Sequence, residues 1–292
     1  ADDWYCMSGR PHSPRTIEIF RRNRTMTLDR RNFLRTATLG CACCLAARFA
    51  GAAETGHGAA AKGSAAHAAP HWGYTGNAGP EHWADLRPDF KVCRLGLEQT
   101  PIDVANGMRG DAAAAILNYR PMPLRIVNNG HTIQVNAEAG SSCAVDGKKF
   151  DLLQFHFHHP SEHLLAGKPF DLECHFVHKS STGDLAVVGV FVRPGAKNEV
   201  LKKIFDAMPM VAGPEVSAAG SVDPAALLPK SGSYVRYMGS LTTPPCSEGL
   251  TWTVFKEPIE ASPDQIQKFA ALFPSNARPV QKRNRRIVVE SN

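Results

Sequence analysis

Gln154-Phe155-His156-Phe157-His158, followed downstream by Glu173-Cys174-His175-Phe176-Val177, decides how this chain is read. Extended as β-strands, both runs send alternate side chains to opposite faces. His156 and His158 then share a face, with Phe155 and Phe157 behind them. On the second run Glu173, His175 and Val177 share a face, and Cys174 and Phe176 point away. Two neighbouring strands of this kind bring three imidazoles to one point. Both runs are otherwise apolar and therefore buried, and a buried imidazole needs partners. Three neutral histidines are the ligand set of a catalytic zinc site with an open fourth position. Gln154 and Glu173 each precede a candidate ligand by two residues, where they can hold its second ring nitrogen. That company outweighs the competing reading of three unrelated histidines.

Outward from these runs, strand patterns cover 150–158, 172–178, 185–191 and 251–254. Two more strands fall within 124–135, around an Asn-Gly turn signal at Asn129-Gly130. Helical pattern is confined to 197–208 and 263–271, the second with Ser262 as its N-cap. The expected fold is mainly β with a few short peripheral helices and no internal repeat.

The net charge of +6 is concentrated at one end of the 292 residues. Residues 1–69 carry ten Lys and Arg against five Asp and Glu, leaving 23 against 22 in the rest. The body thus offers no electrostatic case for nucleic acid. Cys6, Cys41, Cys43 and Cys44 lie in the tail, and Cys93, Cys143, Cys174 and Cys246 in the body. No C-x-x-C pair occurs in the body, which argues against a zinc ribbon or a redox dithiol.

The tail divides into three parts. Residues 1–25 are polar and basic, and read as unstructured and upstream of a true start at Met26. Residues 26–52 form a twin-arginine-type signal peptide, with Arg30-Arg31-Asn32-Phe33-Leu34 and an Ala50-Gly51-Ala52 cleavage site. The segment is too short and weakly apolar, with Arg48 inside, to be a stable membrane anchor. Residues 53–70 are an Ala/Gly/Ser/His-rich flexible linker, and 71–292 form the catalytic domain.

Three motifs carry a family resemblance. Residues 154–163 (QFHFHHPSEH), 172–178 (LECHFVH) and 240–252 (SLTTPPCSEGLTW) are similar to the bacterial branch of the α-class carbonic anhydrases. The likeness runs from about His71 to about Arg286. It implies a single domain around a large, twisted, mostly antiparallel sheet. It also implies a zinc lyase that reversibly hydrates carbon dioxide to bicarbonate and a proton, through metal-bound hydroxide. His156, His158 and His175 would hold the zinc. Neutral ligands leave the metal its full charge, and in carbonic anhydrase itself this established effect lowers the pKa of water to about 7.

The resemblance assigns further roles. Thr242 would accept a hydrogen bond from the hydroxide and donate one from its own hydroxyl to Glu162. Thr243 would line the substrate side, with Val177, Val187, Leu241, Leu250 and Trp252 as an apolar wall for carbon dioxide. Tyr74 would face the site. His131 matches the proton shuttle, a role suited to an imidazole with pKa near 6.5. His163 and His178 match structural histidines. Cys93 and Cys246 match a disulfide, closing a loop of roughly 150 residues and contributing about 5 kcal/mol of chain entropy. That bond agrees with a periplasmic or secreted location. Cys174 reads as a buried thiol, and a Cys143–Cys174 bond stays open, as does a homodimer. Thr100 stands where Ser is more usual, and His159 where other members carry Trp or Thr.

Two rival readings are weaker. A non-catalytic binding module on the same scaffold would typically lack one of the three histidines. A zincin-type hydrolase would carry H-E-x-x-H, which is absent. Expressed from Met26 in a bacterium with a twin-arginine translocase, the chain should reach the periplasm with its N-terminus near Ala53. Replacing Arg30 and Arg31 together by Lys should retain it in the cytoplasm, read by intact mass of each fraction. An unchanged distribution contradicts the export reading.

Overall fold

The computed structural model describes residues 71–110, 114–230 and 232–291. The expected signal peptide, linker and start at Met26 lie outside the described residues. Strands β1 (Met108–Arg109), β2 (Ile116–Asn118), β3 (Met122–Asn128), β4 (Ile133–Asn136), β5 (Ser142–Val145) and β6 (Lys148–His158) come first. They are followed by β7 (Leu172–Lys179), β8 (Leu185–Pro194), β9 (Val216–Val222), β10 (Tyr234–Ser240), β11 (Glu248–Ala261) and β12 (Val289–Glu290). The helices are α1 (Trp83–Leu86), α2 (Val92–Leu95), α3 (Glu199–Ala207) and α4 (Pro263–Leu272).

All strands join one sheet whose main path runs β1-β12-β10-β11-β8-β7-β6-β4-β3-β9. The pairs β1–β12 and β8–β11 are parallel, and the others are antiparallel. The mainly β, single-domain architecture is the one expected. The helices are slightly displaced from their sequence pattern. Asn198 stops α3 from starting earlier, because its side chain accepts from the Val200 and Leu201 amides as an N-cap. Ser262 and Gln265 form a capping box at α4. The hairpin between β3 and β4 is looser than a two-residue Asn-Gly turn, since Asn128 pairs with Ile133 and leaves 129–132 as the loop.

One face of the sheet packs on α3 and α4. Phe155, Phe157, Cys174 and Phe176 join Leu201, Ile204, Phe205 and Phe269 in the main core. The ring of Phe157 lies 5.2 Å from that of Phe205 and 6.0 Å from that of Phe269. Full burial of such a side chain stabilises by about 1.5–3 kcal/mol.

A break in register decides what the opposite face receives. Leu152 pairs with His178 but Gln154 pairs with Val177, so Leu153 is an extra residue in β6. Leu152 points into the main core and Leu153 is exposed, after which Phe155 and Phe157 take up the core positions. Strict alternation would have aligned His156 and His158 with Leu152. The bulge reverses the phase and sends both imidazoles to the far face.

The Cys93–Cys246 disulfide ties α2 to the turn before β11, with Cα atoms 5.0 Å apart. Cys143 and Cys174 are buried free thiols, which closes the question left open between them. His178 is also buried, 2.9 Å from the Tyr119 hydroxyl and 3.2 Å from the Ala186 carbonyl. Burial pushes its pKa down to about 4. The unfolded chain therefore takes up this proton first as pH falls below about 6.5. Stability should decline between about pH 6.5 and 4 and then level off for this group, a loss of order 3 kcal/mol. His178→Gln should flatten that part of the urea-denaturation curve against pH. Parallel curves for the two proteins would contradict this assignment.

Candidate metal centre

His156 and His158 on β6 and His175 on β7 meet because His156 and His175 are direct cross-strand partners. Ligand nitrogens of the three all lie within 4.8 Å of one another. His158 and His175 are each only 1% exposed, so any unpaired nitrogen there is costly.

Each ring has one nitrogen directed to the protein. His156 Nδ1 is 2.9 Å from Gln154 Oε1. His158 Nδ1 is 2.8 Å from the backbone carbonyl of Asn276. His175 Nε2 lies 2.9 Å from Glu173 Oε1, within ion-pair range but without hydrogen-bond alignment. These contacts leave His156 Nε2, His158 Nε2 and His175 Nδ1 to face a common point. His158 Nε2 and Glu162 Oε2 are buried and have no hydrogen-bond partner. Such orphans, beside converging imidazoles, are what a cation would satisfy.

The electrostatics favour neutral rings at two positions. Burial, then the adjacent His158 and His175, holds His156 well below the ordinary imidazole value. Burial also lowers His158. At His175 burial opposes the charge, but Glu173 beside it raises the pKa. Burial likewise opposes ionisation of Glu173, yet His163 and His175 hold its carboxyl well below the usual range. Glu173 Oε2 accepts from the Glu162 and His163 amides, both at 2.9 Å, and Oε1 is 2.7 Å from His163 Nδ1. The other nitrogen of His163 lies 2.6 Å from the Tyr237 hydroxyl, so this histidine is a buried structural strut.

The remaining residues gather nearby in two groups. A cleft of about 120 Å³ is lined by His156, His158, His131, Tyr74, Trp72 and Thr243, among others. Val187, Leu250 and Trp252 are buried in a second apolar cluster, with Val177 and Leu241 half-buried against it. The Trp252 ring is 4.9 Å from His175. Only Val177 and Leu241 of these five retain appreciable exposure. Thr242 is buried, but no hydrogen bond joins it to Glu162 among the described residues. The Arg278 amide pins Glu162 Oε1 at 2.8 Å, and Oε2 turns towards His158 Nε2 at 3.5 Å.

His131 lines the same cleft, its ring stacked on Trp72 at 3.6 Å and 7°. Burial, then the nearby His71, lowers its pKa to about 4. Asn276 and Arg278 are the polar residues that sequence reasoning missed. One supports His158 through a backbone carbonyl and the other holds Glu162 through a backbone amide, contacts that carry no side-chain signature.

A sequence profile of eukaryotic-type carbonic anhydrases matches residues 78–292. The chain belongs to the α-carbonic anhydrase family. A carbonic anhydrase of Nostoc is 48% identical over 227 residues, 76% of this chain and 86% of that protein. One from Neisseria gonorrhoeae is 42% identical, covering 75% and 88%. The α-carbonic anhydrase of Thermovibrio ammonificans, solved with the inhibitor sulfanilamide, superposes with a TM-score of 0.73. It shares 46% identity, over 75% of this chain and 98% of that one. The chain is accordingly a lyase of the carbonic anhydrase type, whose family activity is hydration of carbon dioxide.

The carboxylate and amide behind the ligands orient the imidazoles, so their loss should show in metal affinity. Glu173→Gln should weaken zinc binding by about ten- to hundredfold, measured by competition with a chromophoric chelator. Zinc should also raise the thermal midpoint of the unsubstituted chain, because it binds the folded form. Undiminished affinity in the variant would show that Glu173 does not act on the ligand.

Proposed function

We propose that this carbonic anhydrase holds Zn2+ through His156, His158 and His175 and reversibly hydrates carbon dioxide to bicarbonate. The convergence of three imidazoles whose remaining nitrogens are engaged by Gln154, Glu173 and Asn276 carries this reading. Bound zinc would supply an acidic water of pKa about 7, an established property of carbonic anhydrases rather than one read from this chain.

The protein's own groups do the rest. Thr242 Oγ1 would orient the nucleophile by accepting a hydrogen bond from it, and Glu162, accepting from the Thr242 hydroxyl, would set that hydroxyl's direction. That role requires Glu162 Oε2, which has no hydrogen-bond partner in the present geometry, to accept from the Thr242 hydroxyl. Thr243 lines the cleft on the substrate side. Carbon dioxide is apolar, so the half-buried Val177 and Leu241 offer it a wall, backed by Val187, Leu250 and Trp252.

His131 relays the product proton to solvent. With a pKa of about 4 against Trp72, the ring is a poor proton acceptor at pH 7. Relay near neutral pH therefore calls for a ring orientation that is less buried and further from His71. The disulfide and the tail composition support a periplasmic or secreted site of action, reached by the twin-arginine route. Carbon dioxide and bicarbonate are the only partners the reading requires.

Removal of zinc by a chelator should abolish hydration in a stopped-flow pH assay, and zinc should restore it. His175→Ala should lose most activity together with its metal. His131→Ala should slow turnover about tenfold or more in weak buffer and recover with added imidazole. Full activity after verified metal removal would refute the zinc reading, and an unchanged rate in weak buffer would refute the shuttle.

A further inference from the structure

The loop that carries His131 is stitched to the ligand strand by side chains outside the reaction. Asn276 is 1% exposed and sits between the two. Its Nδ2 donates to the His131 carbonyl at 2.9 Å and to the Phe157 carbonyl at 3.0 Å. Its Oδ1 accepts from the His159 amide at 2.7 Å. Phe157 and His159 flank the ligand His158, so one amide grips the ligand strand on both sides of His158 and His131 together. Only a carboxamide offers two donors and an acceptor in this compass. An Asp there would present lone pairs to two carbonyls.

Thr132 makes a second stitch beside the first. Its Oγ1 donates to the Phe157 carbonyl at 2.5 Å and accepts from the Phe157 amide at 3.3 Å. Asn129 Oδ1 closes the loop from within, accepting from the His131 and Thr132 amides at 2.9 and 3.0 Å. The ring of His131 itself has no hydrogen bond among the described residues and is held only by stacking on Trp72 and His71. Its backbone is fixed, and its ring is left to turn.

We propose that the Asn276 side chain, assisted by Thr132, is a positioning residue for proton transfer that anchors the His131 backbone at a set distance from the ligand strand. The proposal rests on the shuttle role given to His131 above. Its physical sense is that a proton relay through water tolerates little error in distance, and a displacement of about 1 Å can cost on the order of a hundredfold in rate. A fixed pivot lets the ring swing between Trp72 and the cleft without losing reach. The support of His158 by Asn276 is separate, because it uses the backbone carbonyl.

The test uses full-length zinc-loaded protein with Asn276→Ala, and Thr132→Val as a second variant that leaves Asn276 in place. Zinc content should stay near one equivalent. Turnover in weak buffer should fall at least fivefold, with most of it recovered by imidazole. Lost reach should outweigh any gain from a more basic ring. Independently of activity, the His131 ring resonance should titrate higher than in the unsubstituted protein once the loosened pivot relieves the burial of the ring. His71 is the titratable group recorded as facing that ring, and its contribution is followed in the same spectra. Loss of zinc with an unrecoverable rate would reduce Asn276 to a support for His158 and overturn the proposal. An unshifted His131 titration in both variants would overturn it too, whatever the rates. If His131→Ala shows no buffer dependence while the titration shifts, the shuttle reading fails and the clamp stands as a structural fact.

Discussion

The phase of one strand governs this protein. β6 must place phenylalanines on the helix-covered face and imidazoles on the other, and a period of two permits only one assignment along an uninterrupted strand. The extra residue at Leu153 changes the assignment midway. Before it, Leu152 fills the core; after it, Phe155 and Phe157 do. Core packing against Phe205 and Phe269 then fixes the direction of His156 and His158 as firmly as it fixes the phenylalanines. The reactive face is held by the burial of the opposite one.

Three imidazoles side by side, two of them buried and His156 half-buried, are an unfavourable arrangement unless each ring is supported. The support comes from different levels of structure. Gln154 and Glu173 each act from the strand of the ring they support, and the Asn276 carbonyl acts from the segment after α4. Glu173 is itself held by two backbone amides and His163, and that chain continues to Tyr237. Low local polarisability makes such networks strong when complete and costly when broken. Among the atoms left without a hydrogen bond, His158 Nε2 and Glu162 Oε2 lie 3.5 Å apart beside His175 Nδ1, and His175 Nε2 has only its ion-pair contact with Glu173.

Alternation and motif spacing made the ligand strands, the mainly β class and the polar partners Gln154 and Glu173 legible in the sequence. The Cys93–Cys246 pairing came from resemblance, and the structure forms it. Other features were hidden for physical reasons. The bulge at Leu153 has no residue signature, since a β-bulge in mid-strand is a matter of register with a partner. Asn276 supports His158 and Arg278 holds Glu162 over 118 and 116 positions through backbone groups, which every residue possesses. The depressed pKa of His131 comes from burial and from the nearby His71, in a site where its ring stacks on Trp72, 59 positions away in number but adjacent in space, which pattern reading does not supply.

The central claim is that His156, His158 and His175 grip a single divalent ion and leave one corner open. X-ray absorption spectroscopy of the zinc-loaded protein tests it most directly. The account requires three nitrogen scatterers at about 2.0–2.1 Å with imidazole outer-shell features, and one further light atom. A thiolate contribution near 2.3 Å, or fewer than three imidazoles, would contradict it.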